Sequence, residues 1–187
     1  MSITRFTESH LAFSFDHTYW EVVKYDEHPK YLEISNALDG TKAIDFMGFY
    51  NKTTLVVFEV KGFRGYGSAK SVQERLAEGM EVLTTEIAQK VKDTVAGIIG
   101  ISRNIQTNDT IWEKAAKQIL QNKNLVIIAW IEEDLNSKVL RDRKKQEMSV
   151  RTIKLKTKLS WLTTNICIDN VKERHFSFEG FVVNAVN

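Results

Sequence analysis

Residues 124–134 read NLVIIAWIEED, an unbroken apolar run rich in β-branched side chains with polar residues at its end. That is the profile of a strand buried on both faces rather than on one. Such a strand belongs inside a layered fold, and the rest of the chain supplies the layers. Residues 43–50 (AIDFMGFY) and 54–62 (TLVVFEVKG) read as two more strands, with NKT between them at hairpin spacing. Ser71-Val-Gln-Glu74 matches a capping box. Apolar residues then recur at Val72, Leu76, Met80, Leu83, Ile87, Val91, Val95 and Ile98, in steps of four and three. This predicts one long helix, or two meeting near Gly79. Thr110-x-x-Glu113 opens a further helix, with Ile111, Trp112, Ala115, Ile119 and Leu120 on its apolar side.

After the buried strand, a basic helix is expected from about 138 to 162, with Met148, Leu155, Leu159 and Leu162 turned inward. NICIDN (165–170) reads as a short strand, and HFSFEGFVV (175–183) as a weak last element. The first 40 residues have aromatic and β-branched character but no clean period. Pro29 interrupts them, and Asp39-Gly40 suits a turn. The order of hairpin, helix, helix, strand, helix, strand predicts an α/β fold with a central mixed sheet flanked by helices.

A chain of 187 residues with 43% apolar side chains is sized for a single domain, 1–187, with its core over about 20–131 and a basic helix and strands over 135–187. The net charge of +2 does not announce a nucleic-acid partner, but it is unevenly spread. From Lys138 to Lys158 nine cations face only Asp142 and Glu147, which makes that stretch +7 and the remainder −5. The one cysteine, Cys167, lies in an apolar stretch and is expected to be a buried thiol. This usage, with an N-terminus lacking a signal-peptide core, points to a soluble cytoplasmic protein. The longest apolar run is too short for a bilayer, so no membrane partner is expected. The four histidines are scattered and no cysteine pairs with them, so zinc is not expected. The four tryptophans sit in apolar surroundings and are expected in the core.

The residues with a chemical message lie in LVVFEVKG (55–62), where Glu59 and Lys61 break an apolar strand. Side chains alternate along a strand, so Leu55, Val57, Glu59 and Lys61 share one face, and Val56, Phe58 and Val60 the other. If the hairpin pairs Tyr50 with Thr54 across three residues, Asp45 lies opposite Glu59 on that same face. A loop of two or four residues would instead place it opposite Phe58 or Val60. Two carboxylates this close repel and raise each other's pKa, a cost that a divalent cation between them removes. Magnesium selects such oxygens, and the Val60 backbone carbonyl is a candidate further ligand. Lys61 would then stabilise developing negative charge or orient a water.

Asp45 followed by Glu59-Val60-Lys61 resembles the D-(x)n-(D/E)-x-K signature of the PD-(D/E)xK nuclease superfamily, over roughly residues 20–131. No proline precedes the aspartate here; Ile44 does. The resemblance implies a restriction endonuclease-like core, αβββαβ, with the aspartate on the second strand and E-x-K on the third. It implies a Mg²⁺- or Mn²⁺-dependent deoxyribonuclease in which Asp45 and Glu59 bind metal and Lys61 is catalytic. Many members carry an upstream acid; Glu21, Asp26 and Glu33 are candidates here, with Asp26 favoured. For a DNA partner, Arg64 in KGFRGYG and Arg141, Arg143, Lys144 and Lys145 in the basic helix are candidate backbone contacts. One site per chain would cut both strands as a homodimer. The alternatives are a nuclease-fold subunit that only binds DNA or assembles with partners, and a purely structural interaction protein.

Overall fold

The computed structural model describes residues 2–63, 80–104, 110–121, 124–133 and 138–186. In chain order the elements are β1 (Ile3–Glu8), β2 (Leu11–Asp16), β3 (Trp20–Lys24), α1 (Pro29–Ala37), β4 (Phe46–Tyr50) and β5 (Thr54–Phe63). There follow α2 (Met80–Asn104), α3 (Thr110–Leu120), β6 (Leu125–Glu133), α4 (Lys138–Leu159), β7 (Ile166–Asp169) and β8 (Phe181–Ala185). The capping box at Ser71, the glycine-rich loop with Arg64, and the side chains of Arg141, Arg143, Lys144 and Lys145 lie outside the described residues.

Strands β3, β4, β5, β6 and β7 form, in that order, one mixed five-stranded sheet. The first three are antiparallel, and β5, β6 and β7 run parallel. The hairpin pairs Tyr50 with Thr54 and Phe46 with Phe58, the register of the three-residue loop. Asn51 and Lys52 make the corner at φ 47° and 62°. Strand β6 is buried on both faces, as its composition predicts. Leu125, Ile127, Ala129 and Ile131 join a cluster with Tyr31, Ile87, Val91, Trp112 and Leu155 from the four helices. Val126, Ile128 and Trp130 face the other way, toward Phe13, Phe15, Phe181 and Val183.

Those last residues belong to a second sheet of order β1-β2-β8, antiparallel throughout. This corrects the expectation of a sheet flanked by helices: the described helices cover one face, and a small sheet covers the other. The physical reason is the alternation of β2, where Leu11, Phe13 and Phe15 are buried and the residues between them are not. One apolar edge every second residue suits a half-buried strand, not a helix. The rings interlock, with Phe13 against Trp130 at 5.7 Å and Phe15 against Phe58 at 5.8 Å between centroids.

Other local expectations shift. Helix α1 sits between the first and second strands of the sheet, not ahead of all three as an αβββαβ order requires. His28 caps it, with Nδ1 accepting from Lys30 N at 3.2 Å, and Pro29 occupies the first turn, where its missing N–H costs nothing. Gly40 takes φ 79°, as the turn requires. Trp161 is 59% exposed, while Trp20, Trp112 and Trp130 are buried. It stands just past the end of α4, where the next residue, Leu162, takes the place against the apolar cluster. Leu120, the last residue of α3, is also exposed.

Candidate active site

Because β3 and β4 are antiparallel, the residues just after one and just before the other meet at the same end of the sheet. Tyr25 N donates to Asp45 O at 2.8 Å, which extends the β3–β4 ladder by one step, and Asp45 N donates at 3.1 Å to the carbonyl of Phe58, the partner of Phe46. Asp26 and Asp45 therefore come together, with Glu59 on β5 beside them. The β1–β2 turn brings a fourth carboxylate. Ser9 and His10 adopt φ 52° and 60°, which lets the turn lie against Gly62 of β5. A Cβ on Gly62 would fall 2.6 Å from Ser9 Cβ and 2.8 Å from Ser9 O. This close approach sets Glu8 at the site, and one oxygen each from Glu8, Asp26 and Asp45 lies within 4.8 Å of the others.

Glu59 is fully buried. Lys90 of α2 places Nζ 2.7 Å from its Oε1 and 3.8 Å from Asp45 Oδ1. Lys61 Nζ lies 3.1 Å from the same Glu59 oxygen and 2.8 Å from Glu86 Oε1. Asp45 Oδ2 accepts from Val60 N at 2.5 Å. Neither oxygen of Glu59 has an aligned hydrogen bond among the described residues, nor does Asp26 Oδ1.

The electrostatics follow. Burial, then the Asp45 charge, pushes the Glu59 carboxyl up to about 7, against the pull of Lys90 and Lys61. Burial, then Asp45, raises Asp26 to about 6. Burial raises Asp45 as well, opposed by Lys90 and the Val60 hydrogen bond. Lys90 is itself buried, which works against its charge, yet the carboxylates of Glu59 and Asp45 win and raise its pKa. Several acids are thus held together at an energetic cost.

Of the residues singled out from sequence, Asp45, Glu59, Lys61 and Asp26 converge. Glu21 is bound to Lys114 of α3 at 2.9 Å, and exposed Glu33 pairs with Lys30, so neither joins them. Three neighbours were missed: Glu8, Glu86 and Lys90. Glu86 and Lys90 stand one helical turn apart, beside the inward positions Ile87 and Val91, a spacing the sequence does display. Glu8 has no such signal, because only the packing of the second sheet brings it in. In the basic helix, Arg151 is bound to Glu133 at 2.6 Å, and Lys154 and Lys158 both to Glu81. No protein-family model matches the chain, nor does any curated protein or any solved structure.

Proposed function

We propose that the protein is a divalent-cation-dependent nuclease that hydrolyses DNA phosphodiester bonds on a restriction endonuclease-like core whose first helix follows, rather than precedes, the first strand of the sheet. The carrying observation is buried Glu59, held beside Asp45 with neither oxygen in an aligned hydrogen bond among the described residues, in a cluster of four carboxylates. Buried polar atoms are normally satisfied, and here Oε1 of Glu59 has only the ammoniums of Lys90 and Lys61 while Oε2 has no hydrogen bond among the described residues, an arrangement that fits a cation. Hard oxygens from Asp45, Glu59, Asp26 and Glu8, with the Val60 carbonyl, suit Mg²⁺ or Mn²⁺. Bound there, such an ion supplies positive charge for the phosphate and acidifies a water.

The chain's own groups do the rest. Asp45 and Glu59 are fixed by adjacent strands, so their spacing is rigid. Glu86 restrains the Lys61 ammonium at 2.8 Å, leaving it on the carboxylate face where it can meet developing negative charge. Strand β6 runs parallel to β5 and ends at Glu133 opposite Phe63. Helix α4 therefore starts at the sheet end that carries the site. Its first half carries Arg141, Arg143, Lys144 and Lys145 in sequence, and these, with Arg64, are the proposed DNA-backbone contacts. Of the later cations of α4, Arg151 is engaged by Glu133, and Lys154 and Lys158 by Glu81.

One observation favours a second reading. The Lys90 ammonium, 2.7 Å from Glu59, already neutralises charge that a cation would neutralise. A chain that kept this pair closed would bind DNA without cutting it. Plasmid incubated with Mg²⁺ or Mn²⁺ separates the two: cleavage that stops on chelation and in Lys61→Ala supports the nuclease. Salt-sensitive DNA binding that survives Glu59→Ala, with no turnover under either metal, supports the binding subunit.

A further inference from the structure

A second cluster of potential ligands lies away from the carboxylates, on the edge strand β7. Cys167 and Asp169 are two residues apart and so share a face of that strand. Both are buried, and both point to the side of the second sheet, where Cys167 packs in the aromatic cluster. His175 is six residues beyond Asp169, but the chain folds back to meet them. Asn170 Oδ1 accepts from Lys172 N and Glu173 N at 2.8 and 2.9 Å, and Asn170 N donates to Glu173 O. His175 N donates to Asp169 Oδ1 at 2.9 Å, and its Nδ1 lies 2.8 Å from the same oxygen. One donor atom each from Cys167, Asp169 and His175 lies within 4.8 Å of the other two.

We propose that Cys167, Asp169 and His175 form a second cation site, selective for a borderline divalent ion of the zinc class. One sulfur, one oxygen and one imidazole nitrogen are the donors that zinc takes, and they differ in kind from the all-oxygen set around Asp45. Three protein ligands leave a fourth position open. The site has a way in, because the His175 side chain is 61% exposed while Asp169 is 2% exposed. Bonds of about 2.05 Å in a tetrahedron place nitrogen and oxygen ligands roughly 3.3 Å apart, so the 2.8 Å pair has to open by only about half an ångström. Thiolate and carboxylate together balance a 2+ ion. Binding moves the thiol proton to solvent, and both the imidazole nitrogen and the carboxylate give up their mutual contact for the ion. The result is a clamp holding the segment after β7 to the sheet edge.

The chain has one cysteine, so any thiolate–metal absorption reports Cys167. The chelator-stripped full chain is titrated with Co²⁺ and followed in the near ultraviolet, then back-titrated with Zn²⁺. One equivalent of Co²⁺ is expected to give a thiolate charge-transfer band that Zn²⁺ removes and excess Mg²⁺ does not. The band is retained in Asp45→Asn, which separates this site from the carboxylate centre, and it is lost in Cys167→Ser. His175→Ala removes an exposed side chain and leaves the core intact; it is expected to weaken Zn²⁺ by more than about tenfold. Unshifted melting of each metal-free variant establishes that it is folded, and should Cys167→Ser fail this, His175→Ala still decides. Absence of the band, or unchanged Zn²⁺ affinity in His175→Ala, overturns the proposal and leaves a hydrogen-bonded turn only.

Discussion

Replacing Glu59 by glutamine tests the electrostatics of the carboxylate cluster without reference to catalysis. In the folded chain Glu59 titrates near 7 rather than at its ordinary 4.5, chiefly because it is buried. Below pH 4.5 both folded and unfolded states hold the proton, so stability does not change with pH on this residue's account and its contribution is fully present. Between 4.5 and about 7 the folded state keeps a proton that the unfolded state has released, so rising pH favours unfolding. Above about 7 the loss is complete. At about 1.4 kcal/mol per pH unit, the window from pH 5 to pH 8 accounts for about 2.5 kcal/mol of lost stability. Asp26, half-buried and raised to about 6, adds to the loss with the same sign. Glutamine has no proton to exchange, so Glu59→Gln should flatten the profile by this amount. At pH 5 the wild-type Glu59 carboxyl is already neutral, so Lys90 faces an uncharged side chain in both proteins there. Urea unfolding in chelator at pH 5, 6, 7 and 8, followed by the fluorescence of buried Trp20, Trp112 and Trp130, reads both slopes. A wild-type stability that is level or rising over this range, or an unchanged slope in the variant, refutes the reasoning.

Gly62→Ala forces a methyl against Ser9 at 2.6 Å and should cost about 1–3 kcal/mol in urea unfolding. Arg151→Ala leaves the carboxylate of Glu133 without its guanidinium, where both side chains are under 10% exposed, and should cost about 3 kcal/mol by the same measurement. Mg²⁺ at a hundred times its dissociation constant should add ~2.7 kcal/mol of stability, read as a rise of roughly 5–10 °C in Tm. Asp45→Asn should abolish that rise.

The central sheet was legible because its signals are local. Alternation in LVVFEVKG separated Glu59 and Lys61 from Phe58 and Val60, and one of the hairpin registers that the loop allows put Asp45 opposite Glu59. The unbroken run of β6 announced burial on both faces. What covers the second face was not legible, because β1, β2 and β8 join the two ends of the chain, and long-range pairing leaves no periodic trace. Glu8 enters the site only through that packing. Lys90 was within reach: it lies three residues after Ile87 and one before Val91, at the margin of the helical stripe that faces the sheet. His175 read as an isolated histidine because a turn at Asn170, not a strand or helix period, carries it back to Asp169.

The central claim is that the carboxylates at the end of the sheet hold a divalent cation. A crystal of the full chain soaked in Mn²⁺ and measured at the manganese absorption edge tests this most directly. The account predicts an anomalous peak about 2.1–2.2 Å from oxygens of both Asp45 and Glu59, with the Lys90 ammonium moved away from Glu59. No peak there, with Lys90 still closed on Glu59, would contradict it.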